Sequence, residues 1–267
     1  MACNRRVIAG SHRAGGIAGT VYPAPGPPCP GDRGFHDYPE VSMKRIAAFI
    51  DFDGTLLTTH TAHLVGRFLR DSGARHFAGR PLSPLYLARI LACRGLRKTG
   101  LMSEAALAAA LLDFYRGRAV RDVEEWASGF YRDYLKPNLS AALVDIVRTH
   151  KKKGHVPVIV SGQVRTVLRH VAEDLGFDHV ICTDLEDDGR GAYTGRPKGM
   201  ICVDSNKSDL ARAFAADNGI DLGSSYSYGN NEADGAILSM VGNPVAVEPT
   251  KRLEAMALAR GWKIINH

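Results

Sequence analysis

Two carboxylates set two residues apart open the chemistry of this chain: Asp51 and Asp53, in the run Asp51-Phe52-Asp53-Gly54-Thr55. They follow the apolar run Ile46 to Ile50, which reads as a buried strand. Groups just past the C-terminal end of such a strand stand where open α/β sheets bind ligands. A carboxylate there can attack phosphorus, forming an acyl phosphate that splits one difficult displacement into two easier ones, and Asp51 is placed for it. Asp53 would protonate the leaving alcohol and later take a proton from the attacking water. Gly54 lets the backbone turn and approach a phosphate closely, while Thr55 offers a hydroxyl.

Three later segments could complete such a site. Val156 to Val160 reads as a strand running into Ser161-Gly162, a hydroxyl with free backbone N–H groups at a strand end opening a helix, which suits a phosphoryl oxygen. Lys207 begins a helical stretch that continues to Asn218; taken alone it fits a solvated surface as well as a ligand clamp. Tyr226 to Tyr228 delivers Gly229-Asn230-Asn231-Glu232-Ala233-Asp234 at another strand end, where oxygen ligands could hold a divalent cation. Mg²⁺ favours oxygen donors, retained waters and substrate phosphate, which these groups could supply.

Such residues can meet only if several strands end on one edge. The second half alternates accordingly: strands at Val156 to Val160 and Val180 to Cys182 flank a helix from Val164 to Leu175, ended by Gly176. Asp187 to Gly191 reads as a hairpin turn, with Tyr193 and Met200 to Val203 as its flanking strand pieces. Tyr226 to Tyr228, Val245 to Val247 and Lys263 to Ile265 are further short strands separated by helices. This order predicts an α/β fold: a Rossmann-like parallel sheet covered on both faces.

Residues 60 to 150 interrupt that order with helix-like spacing. Ser103 is placed to cap an Ala- and Leu-rich helix reaching Tyr115, closed by Gly117. A second helix runs from Val120 to about Leu135, stopped by Pro137, and a third from Leu139 to Lys153, stopped by Gly154. The expected organisation is an α/β core from residues 43–59 and 151–267, with residues 60–150 inserted as a helical cap.

Composition bounds the alternatives. With 267 residues, 45% apolar and 23% charged, the chain can bury a core, which excludes dominant disorder. Its five cysteines are odd in number, scattered and never in a C-x-x-C pair, which excludes a disulfide scaffold and fits a reduced, cytoplasmic setting. The longest apolar stretches, at 105–112 and 244–248, fall short of the ~20 residues a spanning helix needs. Net charge is +6, and residues 60 to 100 hold eight basic residues against Asp71 alone. That block fits a solvated face or an anionic partner, and without interleaved aromatics or a nucleic-acid motif it favours small anions over nucleic acid.

Residues 1–42 differ from the rest. Pro and Gly dominate Tyr22 to Gly34 and no acid precedes Asp32, so disorder is expected there. A targeting peptide and upstream sequence included by an early start assignment both fit. Met43, directly before Lys44-Arg45 and the first strand, favours the second.

Asp51 to Thr55, Ser161, Lys207 and Gly229 to Asp234 together resemble the four motifs of the haloacid dehalogenase superfamily, and specifically its phosphoserine phosphatase-like branch, subfamily IB. The resemblance covers residues 44 to 265. It is sharpened by the helical insert between the first two motifs, by the 23 residues from Lys207 to Asn230, and by Gly242 to Pro249, which is similar to the family's strand after the fourth motif. It implies a Mg²⁺-dependent phosphomonoesterase acting on a small anionic phosphomonoester. In that pattern Asp51 is the nucleophile, Asp53 the acid/base, and Gly54, Thr55, Ser161, Gly162 and Lys207 surround the phosphoryl group. The cation would be held by Asp51, the backbone carbonyl of Asp53, Asn230 and Asp234.

The chain departs from the pattern in three places. Asn230 stands where the family most often has Asp, which removes a negative charge and should weaken metal binding. His60 stands where phosphoserine-specific relatives carry a Glu; it fits a substrate contact or a cap-hinge residue. Leu111 aligns with their carboxylate-gripping Arg. Both departures count against phosphoserine as substrate. A non-catalytic phosphate-binding relative and a phosphatase of nucleic-acid ends are the competing readings, whereas a receiver-type domain would not tolerate so long an insertion.

Overall fold

The computed structural model describes residues 44–71, 76–78, 80–81 and 83–266, so the expectations for residues 1–42 lie outside the described residues. In chain order the elements are β1 (Ala47–Asp51), α1 (Thr61–Asp71), β2 (His76–Phe77), β3 (Arg80–Pro81), α2 (Pro84–Lys98), α3 (Glu104–Leu112), α4 (Val120–Phe130) and α5 (Ala141–Lys152). There follow β4 (Val156–Val164), α6 (Arg165–Leu175), β5 (His179–Thr183), β6 (Leu185–Asp187), β7 (Tyr193–Pro197) and α7 (Ser205–Asp217). The last are β8 (Tyr226–Gly229), α8 (Gly235–Ser239), β9 (Asn243–Val247), α9 (Lys251–Arg260) and β10 (Lys263–Ile265).

Six strands form one parallel sheet in the order β10-β9-β8-β1-β4-β5, the predicted α/β architecture. The sequence of β1 explains its central place: all five residues are buried, and they alternate between two apolar layers. Ala48 and Ile50 pack with Leu143 and Val147 of α5 and Val167, Leu168 and Val171 of α6. Ala47 and Phe49 pack on the opposite face with Ala211 and Ala215 of α7 and Ile237 of α8. Beyond β8, Ala246 of β9 meets Leu253 and Ala257 of α9.

The long segment between β1 and β4 is helical, with only the two-stranded β2–β3 ribbon among its described residues. Ser103 caps α3 by accepting from the Ala106 N–H, and Ser140 caps α5 by accepting from the Leu143 N–H. Leu64, Val123, Ala127 and Phe130 join the same apolar layer as α5 and α6, and the Trp126 and Phe130 rings stack at 4.9 Å.

Four local expectations need correction. The helix from Val120 is α-helical only to Phe130; it continues as a π turn over Tyr131–Leu135 and a 3₁₀ turn over Lys136–Asn138, so Pro137 lies inside the last turn and does not end the segment. Strand β4 does not end at Val160 but runs through Ser161-Gly162 to Val164, with a register shift against β5 between Val160 and Val164. Ser161 and Gly162 therefore lie in an irregular strand extension, and α6 starts only at Arg165. The hairpin partner of β7 is β6, and residues 200–203 are not strand. The Cys202 N–H donates instead to the Thr183 hydroxyl, which ties that segment across the end of β5.

Candidate active site

Parallel register brings the predicted motifs to one edge. Asp51, the last residue of β1, is level with Val160 of β4, so Ser161 lies one step beyond it on the neighbouring strand. On the other side Ile50 is level with Tyr228 of β8, which places Gly229 beside Asp51 and Asn230 just past it. After Asp51 the chain turns tightly: the Leu56 N–H donates to the Asp51 carbonyl, and Leu57 and Thr55 N–H groups to that of Phe52. Gly54 adopts φ +82°, a backbone conformation that favours glycine, and a Cβ there would lie 2.1 Å from Asn230 Nδ2 and displace that amide.

Lys207 joins three of these segments. Its Nζ donates to Asp51 Oδ1 at 2.6 Å and to Asp234 Oδ1 at 2.8 Å, and all three side chains are buried. The second Asp51 oxygen accepts from the Thr55 hydroxyl at 3.1 Å. The second Asp234 oxygen accepts from the N–H groups of Asn230 and Asn231 at 3.1 and 3.3 Å, which folds the Gly229–Asp234 loop about that carboxylate. Gly229 makes room for it: a Cβ there would stand 2.6 Å from Asp234 Cβ. Lys207 is delivered from the first turn of α7, behind Asp204, a non-glycine residue held at φ 49° and ψ −133°. Backbone in such a region is strained and persists only where the surroundings impose it.

One ammonium shared by two buried carboxylates leaves the pocket short of positive charge. Burial pushes the Asp51 carboxyl up to about 7; nearby Asp234 adds to the rise and Lys207 opposes it. Burial alone would lower the Lys207 ammonium, but Asp234 and Asp51 outweigh it and hold it above its ordinary value. Lys207 therefore stays charged, and any added cation near Asp51 favours the ionised carboxylate an attack requires.

Asp53 is held from two sides. Its Oδ1 accepts from the Thr61 N–H at the start of α1 at 2.5 Å, and its Oδ2 accepts from Gln163 Nε2 at 3.2 Å. Neither donor was expected from the sequence. Gln163 follows Ser161-Gly162 by a single residue, but its partner is 110 positions away and only the folded sheet edge reveals it. Buried Ser161 accepts from the Gln163 N–H at 3.2 Å. A Cβ on Gly162 would meet Val203 Cγ1 at 3.0 Å, so the extension of β4 is packed against the segment before α7.

The donor set fits a hard cation. Among the described residues no group of three or more His, Cys, Asp or Glu side chains is arranged to hold a metal. The oxygens that the family resemblance would assign to a cation, those of the Asp51 and Asp234 carboxylates, the Asp53 carbonyl and the Asn230 amide, are hard and net anionic, as Mg²⁺ prefers. The Asn230 oxygen accepts from Asn231 Nδ2 at 2.9 Å, and its amide nitrogen faces Gly54. Of the two other departures from the family pattern, His60 is exposed just before α1, its ring 5.7 Å from that of His63. Leu111, on α3, is 42% exposed.

The chain is similar to known proteins. Residues 48–239 match the model of the haloacid dehalogenase-like hydrolases. A relative from Streptomyces azureus, named inhibition of morphological differentiation protein, is 28% identical over 225 residues, covering 84% of this chain and 79% of its own. A histidinol-phosphatase from Neisseria meningitidis serogroup C is 26% identical over 231 residues, covering 84% of this chain and 99% of its own. The crystal structure of a Bordetella pertussis Tohama I protein described as of unknown function superposes with a TM-score of 0.72 at 29% identity, covering 83% of this chain and 98% of that one.

Proposed function

The chain belongs to the haloacid dehalogenase-like hydrolase family, and we propose that it is a Mg²⁺-dependent phosphatase that hydrolyses a small phosphomonoester by way of a phosphorylated Asp51. The observation that carries this reading is the Lys207 ammonium lying 2.6 Å from Asp51 and 2.8 Å from Asp234 at the strand edge. That edge gathers the Asp51 carboxylate, the Lys207 ammonium and the Gly229–Asp234 loop from segments far apart in the chain. The name of the histidinol-phosphatase relative supports the same class of reaction.

In this scheme an Asp51 oxygen attacks phosphorus, the phosphorus–oxygen bond to the alcohol breaks, and Asp53 gives the departing oxygen its proton. Asp53 then takes a proton from water, which attacks the phosphorylated Asp51 and releases inorganic phosphate. Lys207, the Ser161 hydroxyl and the backbone from Gly54 to Thr55 and at Gly162 would bind the phosphoryl oxygens. Mg²⁺, held by Asp51, the Asp53 carbonyl, Asn230 and Asp234, would neutralise charge between the attacking carboxylate and the phosphate. Gln163 and the Thr61 N–H would keep the Asp53 carboxyl in place for both proton transfers.

Residues 60–150 would act as the cap over this edge and select the alcohol. His60 and Leu111 do not reproduce the Glu and the carboxylate-gripping Arg of phosphoserine-specific relatives, so a phosphomonoester other than phosphoserine is the expected substrate. Among the described residues all three cysteines are free, which fits a reducing, cytoplasmic setting. The test is release of inorganic phosphate from p-nitrophenyl phosphate. The reading expects activity with Mg²⁺, loss with chelator and loss in Asp51→Asn; full turnover by Asp51→Asn would refute it. A panel of phosphorylated metabolites then identifies the alcohol.

A further inference from the structure

Helix α2 carries apolar side chains on opposite sides. Its inner side is fixed to α3: the Tyr86 hydroxyl donates to the Leu111 carbonyl at 3.1 Å, and Arg89 reaches the Asp113 carboxylate at 2.7 Å. The Tyr86 ring also lies 5.7 Å from that of Phe114. The outer side presents Leu85, Ala88, Leu91, Ala92, Gly95 and Leu96, all exposed. Leu85 is 80% and Leu91 71% exposed, and Leu101, just past the helix, is 78% exposed. At about 100° per residue those six positions fill an arc of roughly 140° without a polar side chain. Lys98 and Arg94 border one side of the arc and Arg89 the other.

A continuous exposed leucine stripe marks an interaction surface. Charge narrows the partner. Residues 72–103 contain six Lys and Arg and no Asp or Glu. Arg89 and Arg97 are paired with Asp113 and Glu104, whereas Arg94 and Lys98 have no carboxylate partner among the described residues. A second copy seated on the stripe across a twofold axis would set these cations against themselves. A nucleic acid would meet leucines where stacking requires aromatic rings.

We propose that the outer face of α2 docks on an anionic phospholipid surface. Leu85, Leu91 and Leu96 enter the boundary between headgroups and acyl chains, and Arg94 and Lys98 lie among the phosphates, the arrangement of an interfacial amphipathic helix. The proposal does not rest on the hydrolytic reading.

Flotation of the full chain with vesicles tests it. The protein should float with phosphatidylcholine–phosphatidylglycerol vesicles, stay behind with phosphatidylcholine alone, and bind less as salt rises. The Leu85→Ser/Leu91→Ser/Leu96→Ser and Arg94→Glu/Lys98→Glu variants should each lower the bound fraction about tenfold or more while melting at the wild-type temperature. The two variants change different side chains, so misfolding of one leaves the other to decide. Failure of the wild type to bind mixed vesicles, or undiminished binding by a folded variant, overturns the proposal. So does displacement of the vesicles by an oligonucleotide, or a dimer that the Leu→Ser variant dissolves.

Discussion

Gln163 Nε2 lies 3.2 Å from Asp53 Oδ2, a hydrogen bond that joins the extension of β4 to the turn after β1 across 110 positions. The Thr61 N–H holds the other Asp53 oxygen, so the carboxyl is clamped before any ligand arrives. A hydrogen bond to a charged group contributes about 1.5–3 kcal/mol. Gln163→Leu should therefore lower kcat at least about tenfold with KM little changed, and Gln163→Glu should be no better, because it sets a second carboxylate beside Asp53. Steady-state kinetics on an aryl phosphate measure both.

Lys207 is the only ammonium hydrogen-bonded to Asp51 and Asp234 among the described residues. Lys207→Met leaves two buried carboxylates without it, a change that typically destabilises by about 3–5 kcal/mol. With the lysine gone the Asp51 carboxyl rises further, so the deficit shrinks as pH falls and the proton is taken up. Urea unfolding at pH 8 and pH 6 should show the larger loss at pH 8.

Asn230 supplies an amide where a carboxylate would add one negative charge. Asn230→Asp should lower the Mg²⁺ concentration needed for half-maximal activity several-fold, because charge count tunes the affinity of oxygen sites. Metal titrations of turnover, or of melting temperature without substrate, read this directly.

His150 is buried, with its ring nitrogens 2.8 Å from His155 Nδ1 and from the Tyr228 hydroxyl. Burial, helped by His155 and Lys153, pushes its pKa down to about 4. Between that value and an ordinary 6.5 the unfolded chain binds the extra proton. The stabilisation is thus complete above the unfolded value and is lost as pH falls through this window. The contribution lost between pH 7 and pH 5 is about 2 kcal/mol. Urea midpoints at the two pH values should differ less in His150→Gln than in the wild type.

Much of this was legible in the sequence, and the limits have physical causes. Buried parallel strands read as apolar runs ending in functional groups, so β1 with Asp51 and β8 with the Gly229–Asp234 loop were visible from pattern and spacing. Lys207 was ambiguous alone because a lysine in a helix's first turn is ordinarily solvated; only its distance to Asp51 and Asp234 distinguishes it. The pairing of β7 with β6 was missed because Met200 to Val203 has strand-like composition, whereas the Thr183 hydroxyl claims the Cys202 N–H. The extension of β4 past Ser161 was missed because a Ser-Gly pair ordinarily signals a turn. The exposed leucines of α2 could not be read at all, since leucines on several sides of a helix do not announce which side is covered.

The central claim is that Asp51 carries the phosphoryl group during turnover. Acid quenching of the enzyme during turnover, followed by mass spectrometry of its peptides, measures this most directly. The account predicts one phosphoryl adduct, on the peptide containing Asp51, absent from Asp51→Asn and lost on incubation without substrate. An adduct on another residue, or sustained phosphate release by Asp51→Asn, would contradict it.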